Sequence, residues 1–188
     1  PSMRFVPFKA IEQQSVLMLH RARSLLVSQR TGLINALRGH LSEFGIVAPQ
    51  GAGNVAALSA LVADQDDGCL SPTARLALVP LVRQIENLEH EVTAFDRRIA
   101  QWHRGNATSR RLATIPGIGP LTASAIVASV TDPSMFRSGR EFAAFFGLVP
   151  RQSSSGGKER LGRISKMGDR YIRMLLVVGA TAVLRHAR

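Results

Sequence analysis

Eight apolar residues, Leu78, Leu81, Ile85, Leu88, Val92, Phe95, Ile99 and Trp102, follow one another at spacings of 3, 4, 3, 4, 3, 4 and 3. Charged residues, among them Glu86, Glu89, Glu91, Asp96, Arg97 and Arg98, fill the gaps between them. A pattern that alternates three and four is a heptad seam, and so narrow a stripe has to be buried against a second helix. Ser71-Pro72 is an N-cap and first-turn pair for this helix, and Pro80 predicts a kink near its start. The partner is either the proline-free stretch from about Ile11 to Phe44, folded back antiparallel, or the same segment of a second subunit. That stretch repeats Val16, Leu19, Leu26, Leu33, Leu37, Leu41 and Phe44 at helical spacing, and Gly45 ends it. The second alternative makes the chain a homo-oligomer through the coiled coil. A breaker-rich loop, Ala48–Gly53, then precedes a short helix over Asn54–Ala63 with Asn54 as its N-cap, followed by the acidic turn Asp64–Gly68.

Aromatic residues make up 5% of the chain, too few for a β-sandwich and enough for helices rich in Ala, Leu and Val. The expected fold is all-α: a long antiparallel helical hairpin or coiled coil over residues 1–104, then a small helical domain over residues 105–188. One cysteine, Cys69, excludes an internal disulfide and a cysteine-built zinc site and fits a reducing compartment. Two charge-free windows, Phe44–Ala63 and Leu112–Thr131, are long enough to span a bilayer, but each is broken by proline and glycine. The start, Pro1-Ser2-Met3-Arg4, leads into no signal-peptide core. The reading is a cytoplasmic protein with no membrane partner.

Charge divides the chain. Residues 1–102 carry ten basic and nine acidic side chains, whereas residues 103–188 carry fourteen basic and four acidic. Such segregation costs self-repulsion and points to a polyanionic partner, nucleic acid first.

Within the basic half, Leu112–Ile126 contains Ile115-Pro116-Gly117-Ile118-Gly119-Pro120 and resembles a helix–hairpin–helix motif. Gly117 and Gly119 permit a tight turn, and Pro120 suits the first turn of a helix whose N-terminal N–H groups favour a phosphate. Arg110 and Arg111 lie just before it. The alternative is a plain helical corner whose glycines serve close packing. Further on, Ser138 and Glu141 have capping-box spacing for a helix over about Gly139–Phe146. Then come Arg151, Ser153-Ser154-Ser155-Gly156-Gly157, Lys158, Arg160, Arg163, Lys166 and Arg170. A Ser/Gly tract reads as a flexible loop. Here it stands among cations able to hold a phosphodiester, with no histidine in the loop as a base. Asp169 is the expected N-cap of a last helix, apolar nearly all round over Met174–Leu184 and therefore expected to be buried.

Taken in order, Ile115–Gly119, Phe142–Pro150, Ser155-Gly156 and Ser165-Lys166-Met167-Gly168 resemble the C-terminal half of transposases of insertion-sequence family one-hundred-and-ten, the bridge-RNA-guided recombinases. Arg4-Phe5-Val6-Pro7 and the long helices resemble the segment between that family's two catalytic domains, so the resemblance covers essentially the whole chain. It implies a DNA transposase acting with a structured guide RNA and joined covalently to the cut strand through a catalytic serine. That serine falls on Ser155, with Ser153 and Ser154 as neighbours. It implies Mg2+ held by the carboxylates of an N-terminal RuvC-like domain, which is not in this sequence. No cofactor is expected within these residues. Gly117, Gly119, Arg110, Arg111, Arg151, Lys158, Arg160, Arg163, Lys166 and Arg170 are the expected DNA-binding residues. By itself the stretch is expected to bind DNA without cleaving it, which leaves open whether it is an enzyme. The alternatives are a non-catalytic helix–hairpin–helix module that binds DNA or RNA and dimerises, and a stalk-mediated interaction protein.

Overall fold

The first long helix, α1 (Ile11–Glu43), stops where Gly45 turns left-handed at φ +77°. The Gly45 N–H then donates to Ser42 C=O at 3.0 Å and the Ile46 N–H to Leu41 C=O at 3.1 Å. These paired bonds satisfy carbonyls that the helix end would otherwise strand. α2 (Gly53–Ala63) follows; Asn54 lies inside its first turn, so the helix begins one residue earlier than the capping pattern suggests. α3 (Pro72–Gly105) starts as expected, with Ser71 Oγ accepting the Ala74 N–H at 3.2 Å, and it continues through Pro80. The computed structural model describes residues 7–49, 51, 53–64 and 68–187. Arg4-Phe5-Val6 and part of the acidic turn, Gln65–Asp67, lie outside the described residues.

Two compact units result. One comprises Arg21–Arg97; the other joins the residues up to His20 with those from Arg98 onward. In the first, the seam of α3 closes against the chain's own α1. Leu37 and Leu41 of α1 share a core with Leu58 and Val62 of α2, Leu70, and Leu78, Val82 and Ile85 of α3. Leu88 and Val92 are buried farther along the seam. Burying such a side chain stabilises by about 1.5–3 kcal/mol, so the seam supplies the driving force. Two ion pairs record the antiparallel register. Arg23 grips Asp96 in a two-pronged contact at 2.5 and 3.2 Å, and two turns onward Arg30 pairs with Glu89. Arg75 closes the end of α2, donating to the carbonyls of Leu61, Val62 and Asp64. A cation there complements the negative end of the helix.

The second unit adds α4 (Ala107–Leu112), α5 (Pro120–Ser129), a 3-10 turn at Pro133–Met135, α6 (Gly139–Phe145), β1 (Pro150–Gln152), β2 (Leu161–Ile164) and α7 (Arg170–His186). Its core is Ala125, Ile126, Val130, Phe146 and Ile172. Phe136, Phe142, Phe145 and Phe146 close a ring of edge-to-face contacts at 5.0–5.3 Å. The expected caps are present: Ser138 Oγ accepts from Glu141 N–H, and Asp169 accepts from the N–H groups of Tyr171 and Ile172. Asp132 caps the 3-10 turn, and donation by the Ser134 hydroxyl and N–H holds its carboxyl below the usual range.

The described chain is thus mostly helical, as the composition predicts. Two expectations need correction. The Ser/Gly tract is not a plain loop but the tip of an antiparallel hairpin made by β1 and β2. Its strands bury almost nothing, so they carry no alternation to read. The other concerns α7, which is not buried all round: Met174, Val177, Val178 and Leu184 are exposed. The helix has one side to bury, because only one side lies on α5 and the turn before it. No helix among the described residues is long and apolar enough to cross a membrane.

Candidate nucleic-acid interface

The hairpin stands on a crossing of two backbones. Gly147 has φ +70° and Gly168 φ +82°. A Cβ on Gly147 would lie 1.9 Å from Met167 O, and one on Gly168 would lie 2.0 Å from Phe145 O. Only residues without side chains fit there, so Gly-Leu-Val-Pro and Ser-Lys-Met-Gly, distant in sequence, are pressed together. The Lys166 N–H donates to Gly147 C=O at 3.0 Å and the Ser165 N–H to Val149 C=O at 2.9 Å. The Arg173 guanidinium then ties both chains, donating to Phe146 and Met167 carbonyls at 3.0 Å each.

From this base the strands run outward. Pro150 pairs with Ile164 and Gln152 with Leu161, with a bulge between. At the tip, the Lys158 N–H donates to Ser155 C=O at 3.1 Å, and Gly156 and Gly157 between them have φ of +58° and +77°. Two successive positive φ values mark a type I′ turn, whose twist matches that of a hairpin. Residues opposite one another in an antiparallel pair share a face, and neighbours along a strand alternate. Ser155 is opposite Lys158. The Ser153 N–H donates to Arg160 C=O at 2.9 Å. A Cβ on Gly162 would lie 3.8 Å from that of Arg151. This register sets Arg151, Ser153, Ser155, Lys158 and Arg160 on one face, and Ser154 and Glu159 on the other. Ser154 is engaged besides, its Oγ accepting the Arg160 N–H at 3.1 Å. The Ser155 hydroxyl has no hydrogen-bond partner among the described residues. Arg163 is exposed by the bulge, Lys166 holds φ +57° at the exit of the hairpin, and Arg170 opens α7, exposed.

The two glycines of the α4–α5 corner have different surroundings. Gly117, at φ +84°, faces α7: a Cβ there would lie 2.9 Å from Gly179 O, and one on Gly179 would lie 2.0 Å from Gly117 O. Gly117 is therefore committed to packing. Gly119 has open space around its Cα and caps α5 without a side chain, with Pro120 as the first helical residue. Arg110 and Arg111 are exposed on the last turn of α4.

Sequence reasoning missed a buried polar network beneath this corner. His20, 1% exposed, places Nδ1 3.1 Å from the Tyr171 hydroxyl and Nε2 3.1 Å from Ser124 Oγ. Ser124 Oγ lies 2.7 Å from Pro120 C=O, its nearest acceptor, so its one proton goes there and it accepts from the histidine. With neutral imidazole, Nε2 then carries the proton and Nδ1 accepts from Tyr171. The network links α1, α5 and α7, and no local spacing announces it. Gly179 was also missed. Its signal is an isolated glycine inside an apolar helix, which marks a close backbone approach.

Among the described residues no group of three or more His, Cys, Asp or Glu side chains could hold a metal ion.

Residues 109–188 match the model of the transposase IS116/IS110/IS902 family. The chain is 47% identical to a probable family 20 transposase of Pseudomonas aeruginosa, over 98% of its own length and 55% of that protein. It is 40% identical to the transposase for insertion sequence element IS1111A of Coxiella burnetii, over 100% of its length and 51% of that protein. A putative transposase of Sinorhizobium fredii is 43% identical over 100% of the chain and 48% of its own length. The chain thus spans about half the length of these relatives. Over residues 109–188, where the glycine crossing, the hairpin and α7 all lie, the chain matches the IS116/IS110/IS902 family of transposases.

Proposed function

We propose that this chain is the DNA-facing part of an insertion-sequence transposase and that Ser155 is its nucleophile. The observation that carries the reading is the pleat of the hairpin. It sets Ser155 opposite Lys158 on one exposed face, with Arg160 and Arg151 farther toward the base on that same face, and puts Ser154 on the other. A phosphodiester laid on that face has its non-bridging oxygens among cations, which stabilise the charge of a five-coordinate transition state. Attack by Oγ forms a Ser–O–P bond and breaks one bridging P–O bond of the strand. The serine proton is lost and the departing oxygen leaves as a hydroxyl. A serine needs activation for this step, and the chain by itself is expected to bind DNA without cutting it. Mg2+ and a RuvC-like domain belong, in this reading, to the half of the protein that the chain does not span. A structured guide RNA is the second partner, and recombination of a mobile element within a bacterial cytoplasm is the setting. Self-association is also part of the reading.

Binding rests on phosphates, so it is expected to be salt-dependent. Replacing Arg151, Lys158, Arg160, Arg163 and Lys166 together by alanine should flatten the log–log salt slope on duplex DNA by about four to five. A slope unchanged by the five substitutions would show that the hairpin does not hold the backbone.

The open end of α5 is proposed as a second, sequence-independent phosphate contact. Gly119→Val leaves the fold intact, since its φ of −86° and open surroundings suit a side chain. It should weaken duplex binding roughly ten-fold, the effect of one lost contact of about 1.4 kcal/mol. Gly117→Val instead breaks the packing on α7 and reports folding, not phosphate binding. Wild-type affinity in folded Gly119→Val excludes the contact at α5.

A further inference from the structure

The hairpin departs from regular pairing at one place, and the departure decides on which face Arg163 lies. Gln152 pairs with Leu161 but Pro150 with Ile164, so two residues of β2, Gly162 and Arg163, stand opposite Arg151 alone. Paired residues share a face, which puts Leu161 and Ile164 on the face of Gln152 and Pro150. Gly162 and Arg163 between them both belong to the face of Arg151. The bulge thus returns to that face a cation that strict alternation would turn away. All four cations of the hairpin, Arg151, Lys158, Arg160 and Arg163, then share one face, and its one carboxylate, Glu159, takes the other. Gly162, where a Cβ would lie 3.8 Å from that of Arg151, puts no side chain between the two guanidinium groups.

The cationic face has three rungs. Ser155 and Lys158 form the first at the turn, Ser153 and Arg160 the second, and Arg151 with Arg163 the third at the bulge. Rungs on one face are about 6.8 Å apart, twice the rise of a strand per residue. Successive phosphates along one DNA strand are separated by nearly the same step. Arg151 donates one N–H to Ser165 C=O at 3.2 Å, which anchors the third rung to the base of the hairpin, and a guanidinium has further donors to offer.

We propose that this face is a track for three consecutive phosphates of one DNA strand. The phosphate attacked by Ser155 lies at the first rung beside Lys158, and the next two phosphates of the same strand lie at Arg160 and at Arg151 with Arg163. The proposal rests on the reading of the hairpin as the DNA-facing element, and it adds a direction and a length. The strand runs along the hairpin, since a strand laid across it would meet one rung and leave the cations of the others without a phosphate.

The test uses thymidine tetramers, which have three internal phosphates and no terminal one, bound to the 188-residue chain. One tetramer is fully charged; the other has a neutral methylphosphonate as its central linkage. The central phosphate falls on the middle rung whichever way the strand runs. Arg160→Ala should therefore weaken the charged tetramer roughly ten-fold and leave the centrally neutral one nearly unchanged, a coupling that a double-mutant cycle isolates. Lys158→Ala, at an outer rung, should weaken both about equally. The log–log salt slope should be near about −2 for the charged tetramer and about 0.7 shallower for the other. Each substitution removes an exposed side chain. A charged tetramer that does not bind, or an Arg160→Ala loss that is the same for both tetramers, overturns the track. The reading of the hairpin as DNA-facing falls only if the five-alanine variant also keeps the wild-type salt slope on duplex DNA.

Discussion

Gly168→Ala should unfold the C-terminal unit, whereas Gly156→Ala, at a similar backbone angle, should barely disturb it. Both glycines hold left-handed φ, +82° and +58°. For an L-residue that conformation costs roughly 1–2 kcal/mol. The surroundings then separate them. Gly156 meets nothing within 4 Å, so its loss is limited to the backbone term. At Gly168 a methyl group would lie 2.0 Å from Phe145 O, which is backbone and cannot rotate away. Making room means pulling apart the crossing at Gly147, with its Lys166 and Ser165 hydrogen bonds and the double grip of Arg173. The expected loss is above about 4 kcal/mol, in the range reserved for a specific structural break. Gly147→Ala should behave like Gly168→Ala. Urea denaturation followed by circular dichroism measures all three. Equal, mild losses in Gly168→Ala and Gly156→Ala would mean that the two backbones do not cross as described.

The helices were legible because their signals are local. The three–four alternation of Leu78–Trp102, the cap at Ser71, the stop at Gly45 and the cap at Asp169 each depend on a few neighbouring residues. Which helix would cover the α3 seam was not legible, since period alone does not distinguish an intrachain partner from a second subunit. The hairpin at Pro150–Ile164 escaped for a different reason. Its side chains are exposed on both faces, so the alternation that betrays a strand is missing, and Ser-Gly-Gly-Lys reads equally as a loop or as a type I′ turn. The crossing of Gly147 with Gly168, the contact of Gly117 with Gly179 and the His20–Ser124–Tyr171 network are all long-range. Each glycine could be seen as permissive, but its partner belongs to the folded chain. Among the site residues, the cations and Ser155 were visible as composition. Their division between two faces of a hairpin was not, and it is that division which separates Ser155 from Ser154.

That separation leads to the second large effect, an all-or-none one. The chain, joined to the N-terminal half of a family transposase and supplied with guide RNA, target DNA and magnesium, is expected to form a protein–DNA adduct that survives denaturant. Ser155→Ala removes the only atom that makes the covalent bond, so the adduct should vanish. DNA affinity should change little, because the lost hydroxyl is neutral and the cations remain. Ser154→Ala removes a group that faces away and bonds the Arg160 N–H, so the adduct should persist. Ser153→Ala shares the cationic face yet lies two residues farther from the turn, and should also keep the adduct.

The most direct measurement is therefore the denaturing-gel yield of that adduct in the three alanine variants, with duplex affinity measured in parallel. Loss in Ser155→Ala alone, at near wild-type affinity, is the predicted result. An adduct that persists in Ser155→Ala contradicts the assignment of the nucleophile, and one that disappears in Ser154→Ala instead contradicts the register of the hairpin.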